Sequence, residues 1–224
     1  MVMSTKVLVV CGSDACLAPA AAFALRSGLL DAGGVEAVEV GTAGVRAEPG
    51  GSLCAEAARA MVGSGSPEPR WAHHPRQITA AVVAEAEVIL ATERRYRSAP
   101  RVLDVHSAHR TFTVLEAAVL GAAVLQRRGS DLAAQARHAR VAQDAASQFA
   151  WLVEEMDSLR GLVTMPAQRH RWLGRTPRSL VVGIDVLDPH TVGGSHRQAL
   201  AALDRAMRTF AVTVAAVTTR TVPV

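Results

Sequence analysis

Short apolar runs alternate with amphipathic stretches in the first half of the chain, and this alternation predicts β-strands separated by α-helices. Pro19 suits the first turn of a helix, so the first helix is expected to run from there to about residue 30. Ser52 and Thr79 are residues of the kind that cap helices, and we expect helices after them to about residues 62 and 84. We expect strands at residues 6–10, 35–40, 87–91 and 101–105. This order favours an α/β fold with a three-layer, doubly wound parallel sheet of four strands.

The pattern becomes helical after Thr113, where apolar residues recur at three- and four-residue spacing. An apolar run at 180–186 then leads into a turn at Asp188-Pro189. We interpret residues 1–224 as one domain with a helical and loop elaboration at about 114–178. The alanine-rich face of its long helix could pack on the sheet or on a second copy of the chain, so a homodimer stays open. The added helices are expected at 114–126, 131–159 and 195–217, with an arginine-rich loop at 161–178.

Composition narrows the class of protein. The chain has 224 residues, of which 50% are hydrophobic and 20% charged, as expected for a globular domain with its own core. A net charge of +4 suits phosphorylated or acidic ligands. Scattered arginines and a single tyrosine offer few platforms for stacking bases, so we expect no nucleic-acid partner. No apolar run reaches the roughly 20 residues of a membrane helix, so we expect no membrane partner either.

The N-terminal stretch and the cysteine count bear on location. Lys6 and the apolar run after it imitate a signal peptide, but Asp14 and Pro19 interrupt that run. Three cysteines, an odd and low number, do not form a secreted disulfide framework. They fit a reducing compartment, so we expect a cytoplasmic protein.

One stretch carries candidate chemistry. Cys11 ends the first predicted strand, at the edge of the sheet where α/β proteins bind ligands. The short loop and helix start that follow could hold an anion above a thiolate. No arginine or lysine lies in this stretch, which we call the Cys11 loop. It consists of Cys11, Gly12, Ser13, Asp14, Ala15, Cys16, Leu17 and Ala18.

Residues 10–19, which read VCGSDACLAP, resemble the motif V-C-x-G-N-x-C-R-S-P of the low-molecular-weight protein tyrosine phosphatase family, which includes arsenate reductases. Further segments are similar to the family in the same order along the chain. They are TAG at 42–44, HHPRQIT at 73–79, AEVILATE at 86–93, RTFT at 110–113, which is typical of actinobacterial members, and IDVLDPH at 184–190. The resemblance covers most of the chain and implies the same four-stranded α/β fold.

The resemblance also implies roles for individual residues. Cys11 stands at the position of the nucleophile that attacks phosphorus, and the backbone N–H groups of the loop would hold the phosphate oxygens. Asp188 matches the general acid that protonates the leaving oxygen. His190 stands where an aromatic residue usually lines the substrate slot, so it is either a surface imidazole or a substitute acid, base or ligand contact.

Three departures from the motif weaken the phosphatase interpretation. Leu17 replaces the arginine that clamps phosphate, Ala18 replaces the serine that hydrogen-bonds the sulfur, and Asp14 replaces an asparagine. Loss of one preorganised donor to developing charge costs about 2.7–4 kcal/mol, and a charged bidentate clamp should cost at least as much. We expect a loss of roughly 10⁴-fold in phosphatase rate from these changes together.

Two functions stay open at this point. In the first, the chain is a pseudophosphatase, or its site is repurposed around Cys11 and Asp188 for another small-molecule or protein ligand. Alternatively, it is an active Cys-dependent phosphatase that forms a phosphocysteine and uses an arginine from elsewhere. The candidates for that arginine are Arg46, Arg169, Arg171, Arg175 and Arg178.

The remaining candidates have plain structural interpretations. Cys16 and Cys54 are interpreted as core filler, although Cys16 could form a disulfide with Cys11 if their Cα atoms lie within about 7 Å. His73 and His74 are adjacent and lack the spacing of metal ligands. We therefore expect no metal and no cofactor.

Overall fold

A computed structural model describes residues 5–33, 38–48, 50–62, 73–128, 132–139, 144–167 and 179–218. Its centre is a four-stranded, fully parallel sheet in the order β2-β1-β3-β4, which confirms the predicted fold class. The strands are β1 at Thr5–Cys11, β2 at Val38–Gly44, β3 at Val88–Ala91 and β4 at Thr111–Thr113. A two-stranded hairpin of β5 at Val181–Val182 and β6 at Asp185–Val186 lies outside this sheet.

Helices connect the strands and continue after the last one. The α-helices are α1 at Leu17–Asp31, α2 at Ala55–Val62, α3 at Ala80–Ala84, α4 at Ser98–Leu103, α5 at Val114–Arg128, α6 at Leu132–Ala139, α7 at Ala145–Ser158, α8 at Pro189–Val192 and α9 at His196–Thr218. Two 3₁₀ turns, at Arg94–Arg97 and Val105–Arg110, flank α4. Among the described residues, no helix is both long enough and apolar enough to span a bilayer.

The two faces of the sheet bury different helices, because side chains alternate along each strand. Val7 and Val9 of β1 belong to the larger core, to which α1, α5, α7 and α9 contribute. Leu8 and Val10 face the other way, into a smaller core with Val83 of α3. The sheet is thus covered on both faces, and only its edges and strand ends remain for a site.

The fourth strand lies later in the chain than the apolar pattern predicted. The prediction of a strand at 101–105 is wrong, since these residues belong to α4 and to the 3₁₀ turn that follows it. Asp104 explains this locally, because its side chain accepts a hydrogen bond from the His106 N–H at 2.9 Å and so caps the turn. Val102 is 84% exposed, so its apolar character did not indicate a buried strand.

Two further helix boundaries differ from the prediction, and one predicted cap is confirmed. The helix expected at 131–159 is divided into α6 and α7, and Asp144 begins α7 by accepting a hydrogen bond from the Ser147 N–H at 2.9 Å. Helix α1 begins at Leu17, two residues before Pro19. The predicted cap at Thr79 is confirmed, because its side chain accepts a hydrogen bond from the Val82 N–H.

Two predictions fall partly outside the described residues. They are the arginine-rich loop, of which residues 168–178 are not described, and the start of the second predicted strand.

Candidate functional site

Cys11 lies at the carboxyl end of β1, where the Cys11 loop turns from the sheet into α1. Its side chain is 2% exposed. Its sulfur accepts a hydrogen bond from the Asp14 N–H at 3.2 Å. The loop is held on the end of β2, because the N–H groups of Val45 and Arg46 donate to the carbonyl oxygens of Cys11 and Gly12 at 3.0 and 2.8 Å. The predicted placement of Cys11 at the ligand-binding edge therefore agrees with the structure.

Burial controls the chemistry of this thiol. Burial raises the pKa of Cys11 to about 12, and the N–H groups of Ala18, Asp14 and Ser13, which favour the thiolate, only partly oppose that shift. The Asp14 carboxylate adds a smaller unfavourable effect. Cys11 is therefore a neutral thiol at pH 7.

Leu17 and Ala18 form the first turn of α1 and are almost fully buried, at 1% and 0% exposed. Both belong to the hydrophobic core that also contains Cys11 and Cys16. Apolar, tightly packed side chains therefore stand at the two positions where the resemblance places the phosphate-clamping arginine and the serine. The first turn of α1 contributes no charged side chain to the site.

Asp14 ties the loop to a distant segment of the chain. Its φ is +57°, a left-handed conformation that Asp and Asn tolerate better than most residues, and it is fully buried. Its Oδ2 accepts a hydrogen bond from the Arg76 N–H at 2.9 Å. The Nε2 atom of His73 lies 2.6 Å from the Asp14 carbonyl oxygen and 3.7 Å from Oδ2. Burial raises the pKa of Asp14.

Asp188 and Tyr96 form the opposite wall of the site. Asp188 is 6% exposed, and its Oδ1 accepts a hydrogen bond from the His190 N–H at 2.9 Å, which caps α8. A Cβ atom placed on Gly12 would lie 2.8 Å from the Tyr96 hydroxyl oxygen and 3.9 Å from Asp188 Oδ2. Glycine at position 12 therefore lets the Tyr96 hydroxyl approach the loop closely, while Asp188 lies at an ordinary contact distance.

Tyr96 is a site residue that sequence reasoning missed. Its hydroxyl is buried and has no hydrogen-bond partner among the described residues, and burial raises its pKa to about 12. The Arg95 guanidinium stacks over its ring at 4.8 Å and pairs with Glu93 at 2.9 Å. The available signal was its position: it is the one tyrosine of the chain, and it follows a strand that ends at the ligand-binding edge.

The arginines that could replace Leu17 are placed as follows. Arg46 donates its backbone N–H to the Gly12 carbonyl oxygen, but its side chain is exposed. Arg95 lies near the site, but its charge is paired with Glu93. Four of the arginines named from the sequence lie outside the described residues: Arg169, Arg171, Arg175 and Arg178.

A second group of side chains lies on the other side of the loop. The His190 Nε2 atom is 3.3 Å from the Cys54 sulfur and 3.1 Å from the His196 Nε2 atom. With the Cys16 sulfur added, all four donor atoms lie within 4.8 Å of one another. Cys54 is half-buried and packs against the larger core, as its interpretation as core filler expects, and its sulfur also faces His190. Cys11, Cys16 and Cys54 are all free thiols.

Comparisons with known proteins agree with this architecture. The family model of the low molecular weight phosphotyrosine protein phosphatases matches residues 6–118, which include the four strands and the Cys11 loop but not Asp188 or His190. No curated protein matches the sequence. A protein tyrosine phosphatase of Entamoeba histolytica, solved with Hepes in its active site, aligns over 94% of both chains with 10% identity and a TM-score of 0.55. This likeness shows the fold.

Two bacterial structures align over less of the chain. A YwlE mutant from Bacillus subtilis covers 70% of this chain and 99% of its own, with 18% identity and a TM-score of 0.46. The low molecular weight protein tyrosine phosphatase of T. tengcongensis covers 70% and 95%, with 19% identity and a TM-score of 0.47.

Proposed function

Given that the chain belongs to the low molecular weight phosphotyrosine protein phosphatase family, we propose that it is a pseudophosphatase: a cytoplasmic member whose Cys11 loop binds a ligand without hydrolysing phosphomonoesters. The ligand is a small molecule or a protein segment less charged than a phosphate dianion. The observation that carries the proposal is the burial of Leu17 and Ala18 in the core, at the positions where the family motif has arginine and serine.

The missing guanidinium matters because phosphoryl transfer depends on stabilising charge. An arginine fork binds two phosphate oxygens at once and also favours the thiolate beneath them. Leu17 does neither, and its side chain packs with apolar neighbours. The loss of such an electrostatic clamp, at about 2.7–4 kcal/mol or more, corresponds to at least about 10²–10³ in rate.

The state of the nucleophile adds a second, separate barrier. Because burial raises the pKa of Cys11 far above its ordinary value, to about 12, the thiol is largely neutral at pH 7. Phosphatase chemistry through cysteine needs the thiolate, since the neutral thiol is a poor nucleophile. Asp188 stays near the loop, but an acid that protonates a leaving group accomplishes nothing before a nucleophile attacks.

An assay of phosphatase activity tests the proposal. p-Nitrophenyl phosphate and an aryl phosphopeptide would be given to the wild type, to Cys11→Ser and to the double variant Leu17→Arg/Ala18→Ser. We expect the wild type to match Cys11→Ser at the background rate. We expect the double variant to gain Cys11-dependent turnover, which a triple variant that also carries Cys11→Ser would lose.

Turnover by the wild type that Cys11→Ser abolishes would overturn the proposal. It would show that the chain is an active phosphatase, as in the alternative interpretation. Substitution of arginines such as Arg46 would then identify the one that binds phosphate in place of Leu17. This comparison does not depend on the double variant, so it stands even if the buried Leu17→Arg change prevents folding. Circular dichroism and thermal unfolding would establish that each variant is folded before its rate is compared.

A further inference from the structure

The four side chains Cys16, Cys54, His190 and His196 lie together at the surface end of the Cys11 loop, and we propose that they bind one Zn²⁺ ion. Two sulfurs and two imidazole nitrogens are a donor set that zinc takes in tetrahedral structural sites. All four donor atoms lie within 4.8 Å of one another. The inference does not depend on whether the Cys11 loop hydrolyses phosphomonoesters.

The distances are close to those of a filled site. Ligands about 2.0–2.3 Å from a tetrahedral ion are separated from each other by roughly 3.3–3.8 Å. The His190 nitrogen is already 3.3 Å from the Cys54 sulfur and 3.1 Å from the His196 nitrogen. The widest separation in the group therefore needs to close by only about 1 Å on binding.

Independent contacts hold the four ligands in place. Cys16 directly precedes α1, and the Cys54 N–H fixes the start of α2 to the loop by donating to the Ala15 carbonyl oxygen at 2.6 Å. The backbone of His190 is anchored by the Asp188 cap, and His196 begins α9. The site is therefore largely formed without the ion, which lowers the cost of ordering it on binding.

The chemistry of the group also favours a soft divalent ion. Thiolate and imidazole ligands select zinc over magnesium or calcium, which prefer oxygen. Two thiolates balance the charge of Zn²⁺, so the ion would sit in the site without further partners. Cys16 is buried and His190 is exposed, which gives the site a closed floor and an open entrance.

The spacing of the ligands explains why the sequence did not predict a metal site, although Cys16, Cys54 and His190 were each considered separately. His190 and His196 are separated by five residues, a spacing that zinc sites use, but the two cysteines lie far upstream and far apart. Only the fold brings the loop and the start of α2 to the start of α9. With four protein ligands the ion has no open position, so its role would be to join the loop to the Asp188 segment.

Metal titration of the full chain tests the proposal. The protein would be purified in reductant, stripped with a chelator and titrated with Zn²⁺ against a chromogenic competitor. We expect one tight site per chain and a higher melting temperature with zinc. Co²⁺ should give the strong visible bands of a tetrahedral ion and a near-ultraviolet thiolate-to-cobalt band. These spectra report the ligands directly, whatever the activity of the protein.

Variants separate this site from incidental binding. We expect Cys54→Ser and His196→Ala each to weaken zinc binding at least 100-fold and to remove the gain in melting temperature. His74→Ala, which changes an exposed histidine outside the cluster, should bind zinc like the wild type. Failure of the wild type to bind zinc would overturn the proposal. So would one-to-one binding that survives both ligand variants, or an octahedral cobalt spectrum.

Discussion

Asp14 shows how a single residue in the Cys11 loop is used for structure rather than for binding. Its carboxylate accepts a hydrogen bond from the Arg76 N–H and lies near His73, so it fastens the loop to the segment before α3. A buried carboxylate is costly when ionised, which is why burial raises its pKa. The left-handed backbone at this position also suits asparagine, which would accept the same hydrogen bond without a charge.

Asp14→Asn is therefore expected to stabilise the protein in a pH-dependent way. Because the pKa of Asp14 is raised in the folded state, the free energy of unfolding of the wild type falls as pH increases through that pKa. Asparagine does not titrate, so the variant avoids this loss. The variant should have the higher free energy of unfolding at pH 7, and its advantage should shrink at pH 4. Urea denaturation at the two pH values measures both quantities.

Glu48→Gln is the matched control for that change, since it removes an exposed carboxylate from the same region. It should alter the free energy of unfolding by less than about 0.5 kcal/mol at either pH. A variant Asp14→Asn that is less stable than the wild type at pH 7 would mean that the charge itself holds the loop, through His73 or a similar partner.

Strand β2 and the Cys11 loop depend on a close approach of two backbones. A Cβ atom on Gly44 would lie 2.7 Å from the Ser13 carbonyl carbon and 2.8 Å from the Asp14 nitrogen. These are backbone atoms of a packed loop, which cannot move aside as the end of a flexible side chain can. Glycine at this position therefore sets how near the loop lies to the end of the sheet.

Gly44→Ala should consequently destabilise the protein by about 1–3 kcal/mol, the usual cost of overpacking. Gly41→Ala makes the same change in the same strand, where the new Cβ atom would meet only the guanidinium end of the long Arg76 side chain, at 3.2 Å, and no backbone atom. It should cost less than about 1 kcal/mol. Thermal and urea unfolding compare the two, and equal losses would contradict the argument.

Some elements were readable from the sequence and others were not, for physical reasons. β1 is a run of apolar residues between clear boundaries, so its pattern identified it. β4 has only three residues, Thr111–Thr113, and merges directly into α5, so no periodicity can develop over its length. The nearby stretch 101–105 is more apolar, so the pattern favours a strand there, although these residues lie in an exposed helix and turn.

The same contrast holds for the site. Cys11 and the loop are contiguous, and a local motif is sufficient to find them. Tyr96 lies in the 3₁₀ turn that follows β3. His190 lies in α8, and His196 is the first residue of α9. Residues so far apart in sequence meet only after strand order is known, and one-dimensional spacing does not contain that order.

Across the whole molecule, Arg160 joins the last strand of the sheet to the C-terminal helices. Its guanidinium lies 4.0 Å above the Phe112 ring and pairs with Asp157 at 2.7 Å and with Glu116 at 3.3 Å. It also donates to the carbonyl oxygens of Ala108 and Thr111. These contacts connect β4, α5 and the end of α7 through one largely buried charge.

Arg160→Met should therefore destabilise the protein by about 2–4 kcal/mol, since it leaves Glu116 buried without one of its cations and two carbonyl oxygens without a donor. Arg59→Met removes an exposed arginine that pairs with Glu56 in the same helix, and it should change stability by about 0.5 kcal/mol or less. Chemical denaturation of both variants tests the difference. A loss for Arg160→Met no larger than that for Arg59→Met would show that the network adds little.

The packing of α1 against α9 has a consequence for how the protein is made. Gly28 of α1 fits so closely against α9 that a Cβ atom there would lie 2.9 Å from that of Ala211, and Asp31 pairs with Arg208 at 2.6 Å. Yet α9 begins roughly 165 residues after α1 ends, a delay of about 10–30 s during translation at 5–20 residues per second. For that time the face of α1 that packs against α9 lacks this cover, and exposed apolar surface of this kind makes a partly synthesised chain prone to aggregate.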